Sequence, residues 1–301
     1  MIKTEEKLKK LIWWIPSYKI RNKIRSHYDN KFIYDNFSYQ KPYVEKMKNR
    51  VSFKNKVVLD CGGGNIPLEY MKFLGVKKFI CLDNISIYYK NKTYKTDKEI
   101  VSLEDSIEAF KNKDSFIIDA EISKIPDFFN EQFDIVISID AFEHIHNLSE
   151  SLNKIYNILK PGGQLLSHFA PIFSCVSGNH FFYNKQYNFD TLKEELGYIH
   201  LLYDYDEAKE ILKNIFTQDK YGELANKFYE LFLYQVYKSN IINRIMIDEH
   251  MKIYTNSNFN KISIEYPWIY DRTPDNILYK LEEKYGKMRY DAMGIFLQAI
   301  K

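Results

Sequence analysis

The sequence predicts a doubly wound α/β sheet of about seven strands, with a helical lid inserted late in the chain. Three observations predict it. Short apolar runs bounded by breakers recur with helical patterns between them, the alternation that builds a parallel sheet covered on both faces. The first of these runs, VVLD, leads directly into Cys-Gly-Gly-Gly-Asn-Ile-Pro, residues 61 to 67, and so into a strand–turn–helix unit. Residues 173 to 240 then interrupt the path from the fifth strand to the last elements with no strand pattern of their own.

The elements follow in order. The runs KVVLD (56 to 60), KFICLD (78 to 83), SFIID (115 to 119), FDIVISI (133 to 139) and GQLLSHFA (163 to 170) each read as a buried parallel strand. Between the first two, PLEYMKFLG places Pro67 in a first helical turn and Gly75 at its stop. A second helix, SLNKIYNILK, ends in a Pro-Gly-Gly turn before the fifth strand. KISIEYP (261 to 267) and GIFLQAI (294 to 300) supply a closing strand pair. This gives a mainly helical basic segment at 1 to 50, a ligand-binding core at 51 to 172 and a helical lid at 173 to 240. The last helix and the closing strands occupy 241 to 301.

Composition limits the function. A chain of 301 residues, 45% hydrophobic and 28% charged, buries a full core. A net charge of +3 does not argue for nucleic acid. Cys61, Cys81 and Cys175 have neither metal-type nor paired spacing, so they read as small buried apolar residues in a reducing cytoplasm, and no metal is expected. No apolar run approaches the ~18 residues of a spanning helix, and the first residues lack a signal-peptide core. Residues 1 to 31 carry nine Lys plus Arg against three acids around LIWWIP. That pattern suits peripheral contact with the inner face of a membrane, or a solvated helix whose tryptophans pack on the core.

The glycine turn identifies the class of ligand. A dinucleotide fingerprint counted from Gly62 would need glycine where Pro67 stands, and the Gly-Lys-Ser/Thr of a triphosphate loop is absent. What remains is Asp60 at the end of the first strand, a glycine turn, and Asp83 ending the second strand 23 residues later. That set suits a ligand with an ammonium group and a ribose but no phosphate.

With LDCGGGN, Asp83, IIDAEISKIP, FDIVISIDAFEHI and LKPGGQLL in this order, residues 54 to 172 resemble the class I S-adenosylmethionine-dependent methyltransferases. The resemblance implies a Rossmann-like fold and S-adenosyl-L-methionine as cofactor. It implies cofactor contacts at Asp60, Gly62, Gly63, Gly64, Asp83, Asn84, Asp119, Ala120 and Asp140. Ile66 departs from the pattern where many members carry a further glycine. Physical reasoning supports these roles: an acid at a strand's carboxyl end faces the ligand crevice, and Asp83 can accept from both ribose hydroxyls. An acid there can equally cap the following helix, most plainly at Asp119.

Specificity is expected from the lid, whose seven Lys against ten acids make it a poor partner for nucleic acid. Its 16 aromatics either build its own core or present flat faces to a small-molecule or sugar acceptor. His180, in APIFSCVSGNHFF directly after the fifth strand, is the predicted base, with His144 and His168 as alternatives and loop ordering as the bland reading of His144 and His180. The stretch APIFSCVSGNHFF, with the later NRIMIDEHMKIYTNSNF and ISIEYP, is similar to methyltransferases encoded in bacterial surface-polysaccharide clusters. That likeness implies O-methylation of a carbohydrate or glycan intermediate. Another small metabolite, including a phosphorylated or nucleotide-linked one, and a cofactor-binding scaffold without turnover are the alternatives.

Overall fold

The computed structural model describes residues 31–88, 96–270 and 272–301. The basic leader expected to meet a membrane therefore lies, up to residue 30, outside the described residues. No described helix is long and apolar enough to cross a membrane.

Eight strands form one sheet: β1 (Val57–Cys61), β2 (Lys78–Asp83), β3 (Ile100–Val101), β4 (Ser115–Asp119), β5 (Phe133–Ile139), β6 (Leu159–Phe169), β7 (Lys261–Glu265) and β8 (Ile295–Ile300). Their order is β3-β4-β2-β1-β5-β6-β8-β7. Strands β1 to β6 are parallel, and β8 runs antiparallel between β6 and β7. After β1 the chain winds outward through β2 and β4, then returns to lay β5 on the other side of β1. The switch point lies between β1 and β5, where open sheets of this kind leave a ligand crevice beyond the strand ends.

Both faces of the central strands are covered, which is why these strands read as continuous apolar runs. On one face Leu59, Ile80, Phe116, Val136 and Leu165 join Leu152 and Ile155 of the helix Leu148–Ile158. On the other, Val58, Phe79, Ile117, Ile135 and Leu166 pack with Phe37, Val44 and Met47 of the first described helix, α1 (Lys31–Lys48). The end of the predicted basic segment is thus part of the core packing. Met71 of α2 (Leu68–Phe73) completes that face.

Two boundaries differ from the sequence reading. The helix ahead of the fifth strand stops at Ile158 and β6 starts at Leu159, because the pairing jumps from Phe133↔Leu159 to Ile135↔Gln164 and lets Pro-Gly-Gly bulge from the strand. The two-residue edge strand β3 is the eighth strand. Between residues 193 and 238 a set of short helices forms a separate apolar cluster around Phe181, Leu196, Leu212, Phe228 and Phe232. Most lid aromatics lie in or against that cluster, as the bland reading of them held.

Candidate active site

The crevice is built from strand ends. At the end of β1, Gly62 has φ 79°, and its N–H donates to Leu82 O at 2.8 Å, tying the turn to β2. A methyl group on Gly62 would lie 2.3 Å from Cβ of Ala141, the second residue after β5. A methyl on Gly63 would lie 2.0 Å from Asp60 Oδ2. Glycine is required at both positions because the Ala141 methyl and the Asp60 carboxylate already fill the space a side chain would need.

Asp60 is 2% exposed, and its Oδ2 has no hydrogen-bond partner. Burial pushes its pKa up to about 7, against a lowering by Lys98 and with a further rise from Asp83. Asp83 ends β2, with Oδ1 accepting from Asn84 N at 2.8 Å. Its pKa is raised to about 6, first by burial, against the Asn84 bond and with a rise from Asp119. Two carboxylates held short of water beside bare backbone suit a cationic, hydroxyl-bearing ligand.

At the end of β4 Asp119 reaches back to the short helix Ile85–Tyr88 that follows β2, not to the helix after its own strand. Its carboxylate accepts from Ser86 N at 3.1 Å and from the Ser86 hydroxyl. Ala120 N donates to Asp83 O at 3.1 Å. Both residues join the ends of β2 and β4, and Asn84 Nδ2 extends the link to Glu121 at 3.2 Å.

Beyond β5, Asp140 adopts φ 50°, and its N–H donates to His168 O at 2.8 Å. Its carboxylate lies 3.8 Å from His168 Nδ1 and raises the pKa of Tyr43, which burial foremost pushes up to about 12. His168, at the end of β6, is 1% exposed, with neither ring nitrogen hydrogen-bonded. It stacks on Tyr43 of α1 at 4.0 Å and meets Trp268 edge-on at 4.6 Å. Glu143 is buried with Oε2 unpartnered, so burial foremost, and then Asp140, hold its pKa well above the carboxylate range.

The chain just beyond the lid holds this loop down. Asn243 Nδ2 donates to Phe142 O and Ile145 O at 2.7 and 3.0 Å, and its N–H to Glu143 O at 2.9 Å. His144 Nδ1 donates to Ile241 O at 2.7 Å, which leaves Nε2 as the acceptor nitrogen. Burial lowers its basicity, against a rise from the Ile241 bond. His180 meets His144 edge-on, with ring centroids 5.9 Å apart, so the structure brings the two predicted bases together. His180 Nε2 donates to Pro171 O at 2.7 Å, and burial, then His144, pull its pKa down to about 3. A nitrogen so weakly basic is a poor proton acceptor, and His144, partly exposed, is the stronger of the pair for that role.

Sequence reading missed Lys98. Its side chain is fully buried, and Nζ donates to Gly64 O at 3.3 Å, Ile66 O at 2.7 Å and Asp97 Oδ1 at 2.7 Å. A lysine in TDKE reads as solvated, so no local signal marks it. Tyr39, Tyr43 and Trp268 were missed as well, since they reach the crevice from the first helix and from beyond β7.

Residues 59–167 match the protein family described as "Methyltransferase domain". Among curated proteins, the demethylmenaquinone methyltransferase of Leptospira interrogans is 28% identical over 151 residues, 48% of this chain and 57% of that protein. The mitochondrial ubiquinone biosynthesis O-methyltransferase of Dictyostelium discoideum is 25% identical over 166 residues, 51% of this chain and 47% of that one. The match thus spans about half the length of these relatives. Among solved structures, an S-adenosylmethionine-dependent methyltransferase from Mesorhizobium loti aligns with TM-score 0.45 and 12% identity, over 83% of this chain and 93% of that one. One from Archaeoglobus fulgidus aligns with TM-score 0.42 and 14% identity, over 91% of this chain and 100% of that one. The unpartnered Asp60 oxygen, the glycine cradle and Asp83 fit the ammonium and ribose of the cofactor that goes with such a domain, S-adenosylmethionine.

Proposed function

We propose that this chain is a methyltransferase that uses S-adenosylmethionine to methylate a hydroxyl of a carbohydrate or glycan intermediate. The observation that carries the acceptor class is the make-up of the crevice on the β5–β6 side. Asp140 and His144 gather there beside the stack of Tyr43, His168 and Trp268. A carboxylate beside aromatic faces suits an acceptor rich in hydroxyl groups.

When bound, the cofactor supplies an electrophilic methyl group on a sulfonium. In this reading Asp60 receives its ammonium group and Asp83 its ribose hydroxyls, while Gly62 and Gly63 admit its amino-acid end against bare backbone. The acceptor oxygen is aligned in line with the methyl. Its proton passes to His144 Nε2, kept neutral at physiological pH by burial and fixed in tautomer by Ile241 O. Glu143 and Asn243 hold the loop on which that histidine stands.

A second reading rests on a different surface. Phe182, Tyr234 and Ile241 are exposed, and Phe182 and Gln235 exchange two hydrogen bonds. An apolar rim beside His144 suits a lipophilic aromatic acceptor, and the curated relatives carry quinone names. The leader fits either reading as a peripheral contact with an anionic membrane. Deleting residues 1 to 25 should then abolish salt-sensitive vesicle binding and spare turnover of a soluble acceptor. The acceptor is tested with methyl-labelled cofactor against sugar nucleotides, glycan intermediates and hydroxylated quinone precursors. Label on a sugar supports the first reading, and label on a quinone precursor alone replaces it with the second.

A further inference from the structure

The glycine turn has no side chains with which to hold its own shape. Among the described residues it is held from beneath by an ion pair adjacent in sequence. Burying an ammonium group costs several kcal/mol unless its donors are met, and here the three acceptors Gly64 O, Ile66 O and Asp97 Oδ1 meet the three donors of Lys98. Two of those acceptors are backbone carbonyls of the turn itself. The other oxygen of Asp97 accepts from Leu68 N at 2.7 Å, the first residue of α2. The pair Asp97–Lys98 thus fastens the end of the turn to the start of the following helix. Phe79 of β2 lies under the ammonium, its ring centre 5.4 Å away.

We propose that Lys98 is a positioning residue of the cofactor site: its buried ammonium holds the glycine turn open for the ligand and presents a fixed positive charge to Asp60. The inference rests on the cofactor reading above. Among the described residues, the groups acting on or with Asp60 are Lys98, Asp83, Tyr39 and the thiols of Cys61 and Cys81. Of these, Lys98 is the cation. Asp60 must be an anion to receive an ammonium group, so cofactor affinity should fall as pH drops below about 7. Without Lys98 that limb should move upward, because the charge that favours the carboxylate is gone.

The test is calorimetry of S-adenosylhomocysteine from pH 5.5 to 9 on wild type, Lys98→Met and Lys98→Arg, with a carbon-13 titration of the Asp60 carboxyl in each ligand-free protein. Lys98→Met should raise the limb and the Asp60 midpoint by about one unit, or about fivefold weaker binding at pH 7 and about tenfold at pH 6. Lys98→Arg should keep both within about 0.3 units of wild type, since the charge stays. An unmoved Asp60 midpoint in Lys98→Met overturns the proposal. If that variant does not fold, an upward move of more than half a unit in Lys98→Arg overturns it. A wild type that binds no S-adenosylhomocysteine overturns the cofactor reading instead, and the ligand-free titration still decides whether Lys98 acts on Asp60.

Discussion

Gly62→Ala should damage this protein through one contact that can be relieved separately. The new methyl would stand 2.3 Å from Cβ of Ala141, across the switch point between β1 and β5, on a backbone at φ 79°. Left-handed backbone costs a non-glycine residue about 1–2 kcal/mol, and forcing a methyl into filled space costs about 1–3 kcal/mol more. Lower entropy of the unfolded chain returns about 0.4–1 kcal/mol, so the single change should destabilise by about 1–4.6 kcal/mol. Removing the opposing methyl separates the two terms. Ala141→Gly alone should cost about 0.5–1 kcal/mol, whereas Gly62→Ala/Ala141→Gly should be more stable than Gly62→Ala by about 1–2 kcal/mol, retaining the backbone cost. Urea unfolding of the four proteins measures the cycle. A double variant no more stable than Gly62→Ala, or a Gly62→Ala protein within 0.5 kcal/mol of wild type, would refute the close approach of the two loops.

Asp83→Ala should weaken S-adenosylmethionine and S-adenosylhomocysteine alike by about 30-fold or more, the worth of two charge-assisted hydrogen bonds at about 2–4 kcal/mol; calorimetry reads it, and unchanged affinity would remove Asp83 from the site. His144→Gln should lower turnover about 10²- to 10⁴-fold and abolish the acidic limb of the rate profile, with cofactor affinity near normal. His180→Gln should leave that limb in place, since a group at about 3 is already neutral throughout the working range. His250 is depressed to about 3 by burial. Its contribution to stability is therefore complete above the ordinary histidine value of about 6.5 and is lost as pH falls toward the folded value. Between pH 6 and 4 wild type should lose about 1.4 kcal/mol per pH unit more than His250→Gln, and equal slopes in urea unfolding would contradict the burial argument. Asp60 and Asp83, raised to about 7 and 6, act in the opposite sense, their contribution present below the ordinary carboxylate value and lost as pH rises through those values. They are common to both proteins and cancel in the comparison.

The central strands were legible because burial on both faces leaves an uninterrupted apolar run, as in β1, β2, β4 and β5. β3 was not, since two residues, one exposed, carry no pattern. The Pro-Gly-Gly segment looked like a stop before the fifth strand, yet the sheet absorbs it as a bulge, which only pairing with β5 reveals. For Asp119 the sequence admitted a ligand contact and a cap of the following helix, whereas its bond to Ser86 runs to the helix after β2, which only the pairing of β2 with β4 brings beside it. His180 shows a different limit. Residue type and position after the fifth strand marked it as a base, but burial, and after it the charge of the neighbouring His144, decides its basicity, and that is a property of the fold. Lys98 and the Tyr43–His168–Trp268 stack join distant segments that carry no mark in their own neighbourhoods.

The most direct test of the central claim is transfer itself: the purified chain, methyl-labelled S-adenosylmethionine, and a mixture of extracted sugar nucleotides, glycan intermediates and hydroxylated quinone precursors, with the products weighed by mass spectrometry. The account predicts labelled product one methyl group heavier than its acceptor, its formation lost in His144→Gln and reduced in Asp83→Ala. Tight, Asp83-dependent cofactor binding with no labelled product from sugar or quinone acceptors would contradict it and leave a cofactor-binding scaffold in place of an enzyme.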